Sequence, residues 1–249
     1  MKVSKEQMAE NRERILDTAA QLFREKGFDG IGVADLMKSA GLTHGGFYGH
    51  FASKDDLMAQ ATERALGKLH TAWAALARDA AHNGKDPLGA VESAYLSARH
   101  RDAPGHGCLL AALGSDAARQ GPAVRQAVTD GVQKQVDALA TLMPGRTKAA
   151  KRQRALADYA SMVGAMVLAR AVDDPDFSDE ILQATAAALR VCGAAKGGFH
   201  HAGFHPTGIA AHFSCALQAG WLYGLNARQL TMAQGLVGST AAASQEFLE

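Results

Sequence analysis

The chain has 249 residues, 47% hydrophobic and 20% charged, a balance that excludes a disordered chain and allows one large domain or two modest ones. Twenty-six basic and twenty-five acidic residues leave a formal net charge of +1, which excludes a strongly basic chromatin-type binder but not a local basic patch. Three cysteines exclude a disulfide scaffold and suit a reducing compartment, and Met1 to Gln7 lack the apolar core of a signal peptide, so a cytoplasmic protein is expected.

The first predicted helix carries Ile15, Leu16, Ala19, Leu22 and Phe23 as one apolar stripe. Ser4 with Gln7 has the spacing of a capping box at its start, and Gly27 is a natural stop. A short helix follows over roughly Val33 to Ala40 and ends at Gly41, where glycine permits the left-handed backbone of a tight turn. Thr43 is placed to cap a second short helix from His44 to Phe51. Ser53 then opens a long helix through Leu57, Ala61, Ala65 and Leu69, with Asp55 and Asp56 in its favourable first turn.

Beyond that helix, Pro87, Pro104, Pro122, Pro144 and Pro175 punctuate segments rich in Ala and Leu. Two late helices are predicted, Thr147 to Val172 and Ser178 to Cys192. Their small and apolar residues, among them Ala160, Val163, Gly164, Val167, Leu168 and Ile181, suit close packing, and a four-helix bundle between two copies would bury them. No segment alternates with period two, so the predicted fold is all-α without a sheet. From Gly193 onward the composition changes: only Lys196, Arg228, Glu246 and Glu249 are charged in 57 residues, and the same stretch holds His200, His201, His205 and His212, which marks a boundary or a fusion.

The stretch Val33 to Phe51 reads helix, tight turn, helix, followed by Ala52-Ser53-Lys54-Asp55-Asp56-Leu57. This ordered run, with the helix from Ile15 to Gly27, resembles the TetR family of bacterial transcriptional regulators. The segments from Pro104 to Arg119 and from Asp174 to Leu182 also look like regulatory-domain segments of one branch of that family. The resemblance implies an all-helical homodimer with a three-helix, helix-turn-helix operator-binding domain (1–52). A helical domain that binds an inducer and dimerises (53–192) would follow, then an additional helical tail (193–249). It implies no enzyme activity, no cofactor and no metal; the partners are double-stranded operator DNA, a small-molecule inducer and a second copy, with no membrane.

Two departures from the family pattern bear on DNA reading. Ile31-Gly32 stands where the family has Thr or Ser before its second helix, which weakens that cap. Glycines at 45, 46 and 49 disfavour a helix by ~1 kcal/mol each relative to alanine and offer no side chain to a base. Base readout then rests on Thr43 and His44 with help from DNA shape, or Gly45 and Gly46 let the backbone approach the duplex closely. Tyr48 matches the family tyrosine whose hydroxyl reaches the DNA backbone; His50 and Lys54 are the other phosphate donors, Lys54 in the first turn of the long helix. The competing reading packs Tyr48 and His50 between helices. Residues 1–70 hold ten basic and ten acidic residues, so the case rests on the motif and local placement.

An inducer pocket is expected among the middle helices, lined by Trp73, Tyr95, His100, Cys108, Tyr159 and Met162, each of which also reads as a core residue. Cys108 follows Pro104-Gly105-His106-Gly107 at a predicted helix start. A thiol there, near a histidine, is either an activated sensor whose modification releases DNA or an inert core residue.

In the tail, Asn226 with Gln229 has the spacing of a capping box. Gly203 to Gly208, Gly224 to Leu230 and Gly235 to Ser239 look like a fragment of the MmgE/PrpD family of dehydratases and isomerases. Its His-Pro motif corresponds to His205 here, and an enzyme fragment is the alternative function. The fragment covers some 45 residues and brings no partner acid or base to His205, so no catalytic residue is assigned. The tail reads as a passive fusion remnant, a recruited cover for the regulatory domain, or, with Cys192 and Cys215, a metal site whose spacing fits no standard ligand pattern. Its uncharged stretch is too polar and interrupted to span a membrane.

Overall fold

The computed structural model describes residues 4–194, 225–226 and 228–232, in two compact units, 1–189 and 190–249. Among the described residues there is no strand, and the all-α reading holds.

α1 (Lys5–Lys26) buries Ile15, Leu16, Ala19 and Phe23 of the expected stripe, with Ala20 beside them, while Leu22 is only partly buried. Ser4 accepts a hydrogen bond from the Gln7 N–H at 3.1 Å, but the Gln7 side chain turns to Glu10 and Asn11, so only half of the capping box forms. Gly27 ends the helix at φ 84°. Three residues on, a side chain at Gly30 would place its Cβ 1.8 Å from the Lys26 carbonyl oxygen, so the chain can double back only with glycine there.

α2 (Val33–Ser39) starts at Gly32 without a side-chain cap. Its end is a Schellman turn: Leu42 N–H bonds Met37 O at 2.9 Å and Gly41 N–H bonds Lys38 O at 3.0 Å, with Gly41 at φ 71°. The next segment corrects the expected helix from His44 to Phe51. His44–Gly49 is a six-residue 3-10 helix, and Thr43 makes no side-chain cap; its backbone carbonyl accepts from Gly46 N–H instead. Three glycines in six residues remove the propensity that would sustain a longer α-helix.

α3 (Lys54–His82) runs 29 residues from a Ser53 cap. Its first half packs Leu57, Met58, Ala61, Ala65 and Leu66 into a cluster with α1, α2 and Phe47. Its second half sends Trp73 into another cluster with α4 (Pro87–Tyr95), α7 (Pro122–Leu142), α8 (Lys148–Ala171) and α9 (Pro175–Ala194). α5 (Ala98–Asp102) and a turn at Pro104–His106 lead into α6 (Leu109–Ala117). α6 belongs to both clusters: Leu109, Leu113 and Ala117 face the first, and Ala111 the second.

α3 and α7 touch closely at Gly131, where a Cβ would lie 2.3 Å from Leu66 Cδ1. The buried Gln135 amide donates to Leu66 O at 3.1 Å beside it. Thr147 caps α8 by accepting from Ala150 N–H at 3.1 Å. α9 begins three residues before the expected Ser178, because Asp174 Oδ1 accepts from Asp176 and Phe177 N–H at 3.0 and 3.1 Å and Pro175 suits the first helical position. Ser178 instead donates to Ala169 O at 2.6 Å and ties α9 back to α8. Leu156, Val167 and Leu168 of α8 and Phe177 of α9 stay exposed.

In the second unit, Gln229 N–H bonds Asn226 Oδ1 at 3.0 Å and Asn226 N–H bonds Gln229 Oε1 at 2.9 Å, the expected capping box over a short helical turn. His200, His201, His205, His212 and Cys215, most of the stretch resembling MmgE/PrpD, and the Cys192 side chain lie outside the described residues. Among the described residues no helix is long and apolar enough to cross a membrane, and no group of three His, Cys, Asp or Glu is arranged to hold a metal ion.

Candidate nucleic-acid interface and effector core

The 3-10 helix presents its residues on an open edge. Thr43, His44, Gly45, Tyr48 and Gly49 are exposed, while Phe47 is buried and anchors the segment. Tyr48 is 69% exposed, so it does not pack between helices; its ring stands edge-on to Phe47 at 5.2 Å and to His44 at 6.3 Å. Gly45 has nothing within 4 Å of a would-be Cβ, and Gly46 and Gly49 have only ordinary contacts at 3.7 to 3.9 Å. Packing inside the protein therefore does not demand glycine at these positions.

His50 and Lys54 are half-buried on the adjoining edge, Lys54 as the first residue of α3. Ser53 accepts from Asp56 N–H at 3.1 Å, and the Asp56 carboxylate accepts from Ala52 N–H at 3.0 Å, which fixes the start of α3. His50 is held below the usual imidazole range, first by burial and then by the Arg12 guanidinium. Arg12 is a residue that sequence reasoning missed. Its guanidinium carbon lies 4.8 Å from the Phe51 ring centroid, and Phe51 stacks on Phe47 at 5.7 Å. The available signal was its position one turn before Ile15, off the apolar stripe that drew the reading of α1.

The six expected lining residues converge. Trp73 meets Tyr95 at 5.9 Å and Tyr159 at 5.6 Å, both edge-on, and Tyr95 meets His100 at 4.5 Å. Cys108 Sγ lies 3.9 Å from Tyr159 Oη, and Met162 is fully buried in the same cluster. His100 Nε2 faces the Cys108 N–H at 2.8 Å and must accept from it; Nδ1 faces Tyr95 O at 2.7 Å and must donate. That pairing fixes a neutral imidazole with its proton on Nδ1, and burial, with Arg170 adding to it, lowers the pKa in the same direction. Burial and the neighbouring Cys108 raise both Tyr95 and Tyr159 above the usual phenol range.

Cys108 is completely buried, at the N-cap of α6. The histidine bound to it is His100; His106, nearer in sequence, is exposed. The preceding turn is bound from two sides. Arg170 donates to His100 O at 2.7 Å and Arg101 O at 3.0 Å, and Arg24 of α1 donates to Gly105 O at 2.9 Å through Nε and again through Nη2. A Cβ at Gly107 would come within 2.5 Å of the His100 ring, so glycine permits this imidazole to lie against the backbone.

A family model, that of the bacterial regulatory proteins of the tetR family, matches residues 15–61. The HTH-type transcriptional repressor NemR of Escherichia coli is 28% identical over 122 residues, which is 49% of this chain and 61% of NemR. The HTH-type transcriptional regulator AcrR of Shigella flexneri is 33% identical over 75 residues, 29% of this chain and 35% of AcrR. The chain thus spans about three fifths of NemR's length (61%) and less of AcrR's. The crystal structure of the reduced form of E. coli NemR superposes with a TM-score of 0.61 at 24% identity, over 73% of this chain and 96% of NemR. A TetR-family regulator from Cytophaga hutchinsonii gives 0.61 at 21% identity, over 76% and 97%. Residues 15–61 carry the segment that marks the bacterial tetR-family regulatory proteins, and the described helices have the all-α fold of those regulators, with its N-terminal helix-turn-helix domain.

Proposed function

We propose that this protein is a cytoplasmic transcriptional repressor that binds double-stranded operator DNA as a homodimer and is released by a small-molecule inducer or by modification of Cys108. The observation that carries the reading is the open edge formed by Thr43, His44, Gly45, Gly46 and Tyr48 beside His50 and Lys54, within the segment that matches the tetR family. Tyr48, His50 and Lys54 supply phosphate donors, Thr43 and His44 the base contacts, and the glycines a close backbone approach. NemR's description as a repressor supports that sense of regulation.

The dimer surface is the α8–α9 face, whose exposed Leu156, Val167, Leu168 and Phe177 would be buried by the same face of a second copy. The inducer site is the cluster of Trp73, Tyr95, His100, Cys108, Tyr159 and Met162. Because Cys108 is buried behind Tyr159, its modification requires α6 and α8 to part, which links reaction at sulfur to a change of shape. Residues 203–247 are proposed to be an appended segment related to the MmgE/PrpD enzymes and to take no part in catalysis.

The test is fluorescence anisotropy on duplex DNA from the protein's own upstream region. Tight, salt-sensitive binding that Tyr48→Phe and Lys54→Ala both weaken is expected. Binding no better than to mixed-sequence DNA, or unmoved by both substitutions, would refute it. A chain ending at Gly193 should bind equally well. For the thiol arm, mass spectrometry after mild electrophile treatment should find Cys108 modified in step with DNA release; release with Cys108 intact would eliminate it.

A further inference from the structure

The proposed phosphate-facing edge contains a cation that belongs to neither the turn nor α3. Arg12 lies on α1, yet its guanidinium sits over Phe51 and its Nη2 donates to Gln60 Oε1 at 2.5 Å. Gln60 passes the connection on by donating to Asp56 Oδ1 at 2.6 Å, and the other oxygen of Asp56 holds the Ala52 N–H. Arg12 is therefore tied to the residues that flank the start of α3.

Its charge, however, is not neutralised. A guanidinium has five N–H donors, and among the described residues only one of Arg12's is used in a hydrogen bond. No carboxylate forms an ion pair with it among the described residues: Asp56 is reached only through the neutral Gln60 amide. Some other arginines of the same unit are more fully engaged. Arg24 is bound to Gly105 O, Arg64 pairs with Glu13 and Asp17, and Arg101 pairs with Asp102 and Asp179. Arg12 also lies close enough to His50 for its charge to disfavour a second positive charge there. A cation held over the Phe51 ring, three residues before Lys54, with spare donors and beside an imidazole, is suited to an oxyanion.

We infer that Arg12 is a fourth phosphate ligand of the DNA interface, forming with His50 and Lys54 a clamp on the duplex backbone that α1 contributes. This rests on the DNA-binding reading above and deepens it. Because a phosphate contact is independent of sequence, a mixed-sequence duplex serves as the probe. Log Kd is measured against log salt for the wild-type chain, Arg12→Met, Arg12→Lys and Lys54→Ala, with thermal melting of each.

Arg12→Met is expected to lower the salt slope by about 0.9 per Arg12 engaged. Arg12→Lys should keep that slope, because it keeps the charge. An unchanged slope in Arg12→Met overturns the inference. So does an equal loss of slope in Arg12→Lys and Arg12→Met, which would assign Arg12 to bracing Phe51 and α3 instead. If Arg12→Met does not fold, Arg12→Gln is read in its place. Failure of the DNA-binding reading looks different: the wild-type chain itself shows no salt-dependent binding, and both proposals then fall.

Discussion

Thr43 and Thr147 occupy the same position relative to a following helix, but only Thr147 caps. Thr147→Ala should therefore cost about 1 kcal/mol in urea unfolding, whereas Thr43→Ala should change stability by less than about 0.5 kcal/mol. Equal losses would contradict the distinction. A threonine that does nothing for the fold is free for another task, which is why Thr43 stays in the proposed base-reading set. Gly45 supports the same view from the opposite direction. With open space around it, Gly45→Ala should raise stability by up to about 1 kcal/mol and still weaken operator binding if the backbone approaches the duplex there.

His100 gives a prediction with a definite sign. Its folded-state pKa lies below the unfolded value of 6.5, so the unfolded chain takes up protons first as the pH falls. Its contribution to stability is complete above pH 6.5 and is lost as the pH drops through the folded-state value. Unfolding free energy should decline on acidification below pH 6.5 and level off below the folded-state value, and His100→Gln should show a shallower decline over that range. A parallel decline in both proteins would mean that other groups carry the acid sensitivity.

At the scale of elements, the apolar periodicity of α1 and the first half of α3 was legible because each buries one regular stripe in one cluster. The starts of helices were less legible. Ser178 looked like the beginning of α9, but the paired backbone bonds of Asp174 and the fixed geometry of Pro175 start it earlier. The 3-10 form of 44–49 was foreshadowed by its glycines, yet the expected helix extended to Phe51. Side-chain partners from distant segments were the least legible: nothing local says that Arg12 meets Phe51, or that His100 rather than His106 holds the Cys108 backbone. Five of the six residues proposed for the effector core fall in one buried cluster, and His100 packs on Tyr95 at its side, because the apolar faces of α3, α4, α6 and α8 meet there.

The close approach of α3 and α7 at Gly131 is also testable. Gly131→Ala would push a Cβ into Leu66 of α3, and overpacking there should cost about 1–3 kcal/mol. A loss near zero would show that α3 and α7 can separate freely.

On the scale of the whole molecule, the exposed apolar residues of α8 and α9 predict association. Leu168→Glu should convert a dimer into a monomer in sedimentation equilibrium, with a dimer Kd raised at least about tenfold. Retention of the dimer would move the interface elsewhere. The cluster behind the proposed DNA edge and the proposed effector cluster belong to one compact unit, and α3, α6, α7 and the bond from Arg24 to the Gly105 carbonyl connect them. Arg24→Ala should leave DNA affinity in the absence of inducer nearly unchanged and reduce the loss of affinity on Cys108 modification. An undiminished response would assign coupling to the three shared helices alone.

The length of α3 has a mechanical consequence. Lys54 and Trp73 lie on one uninterrupted helix, about 28 Å apart along its axis at 1.5 Å per residue. If that helix pivots as a stiff arm about its Trp73 end, a swing of about 5° carries Lys54 through roughly 2.5 Å. That travel is nearly the length of a hydrogen bond. A displacement of half an ångström among the aromatic rings, too small to unpack the core, would be magnified at the far end into a lost grip on a phosphate.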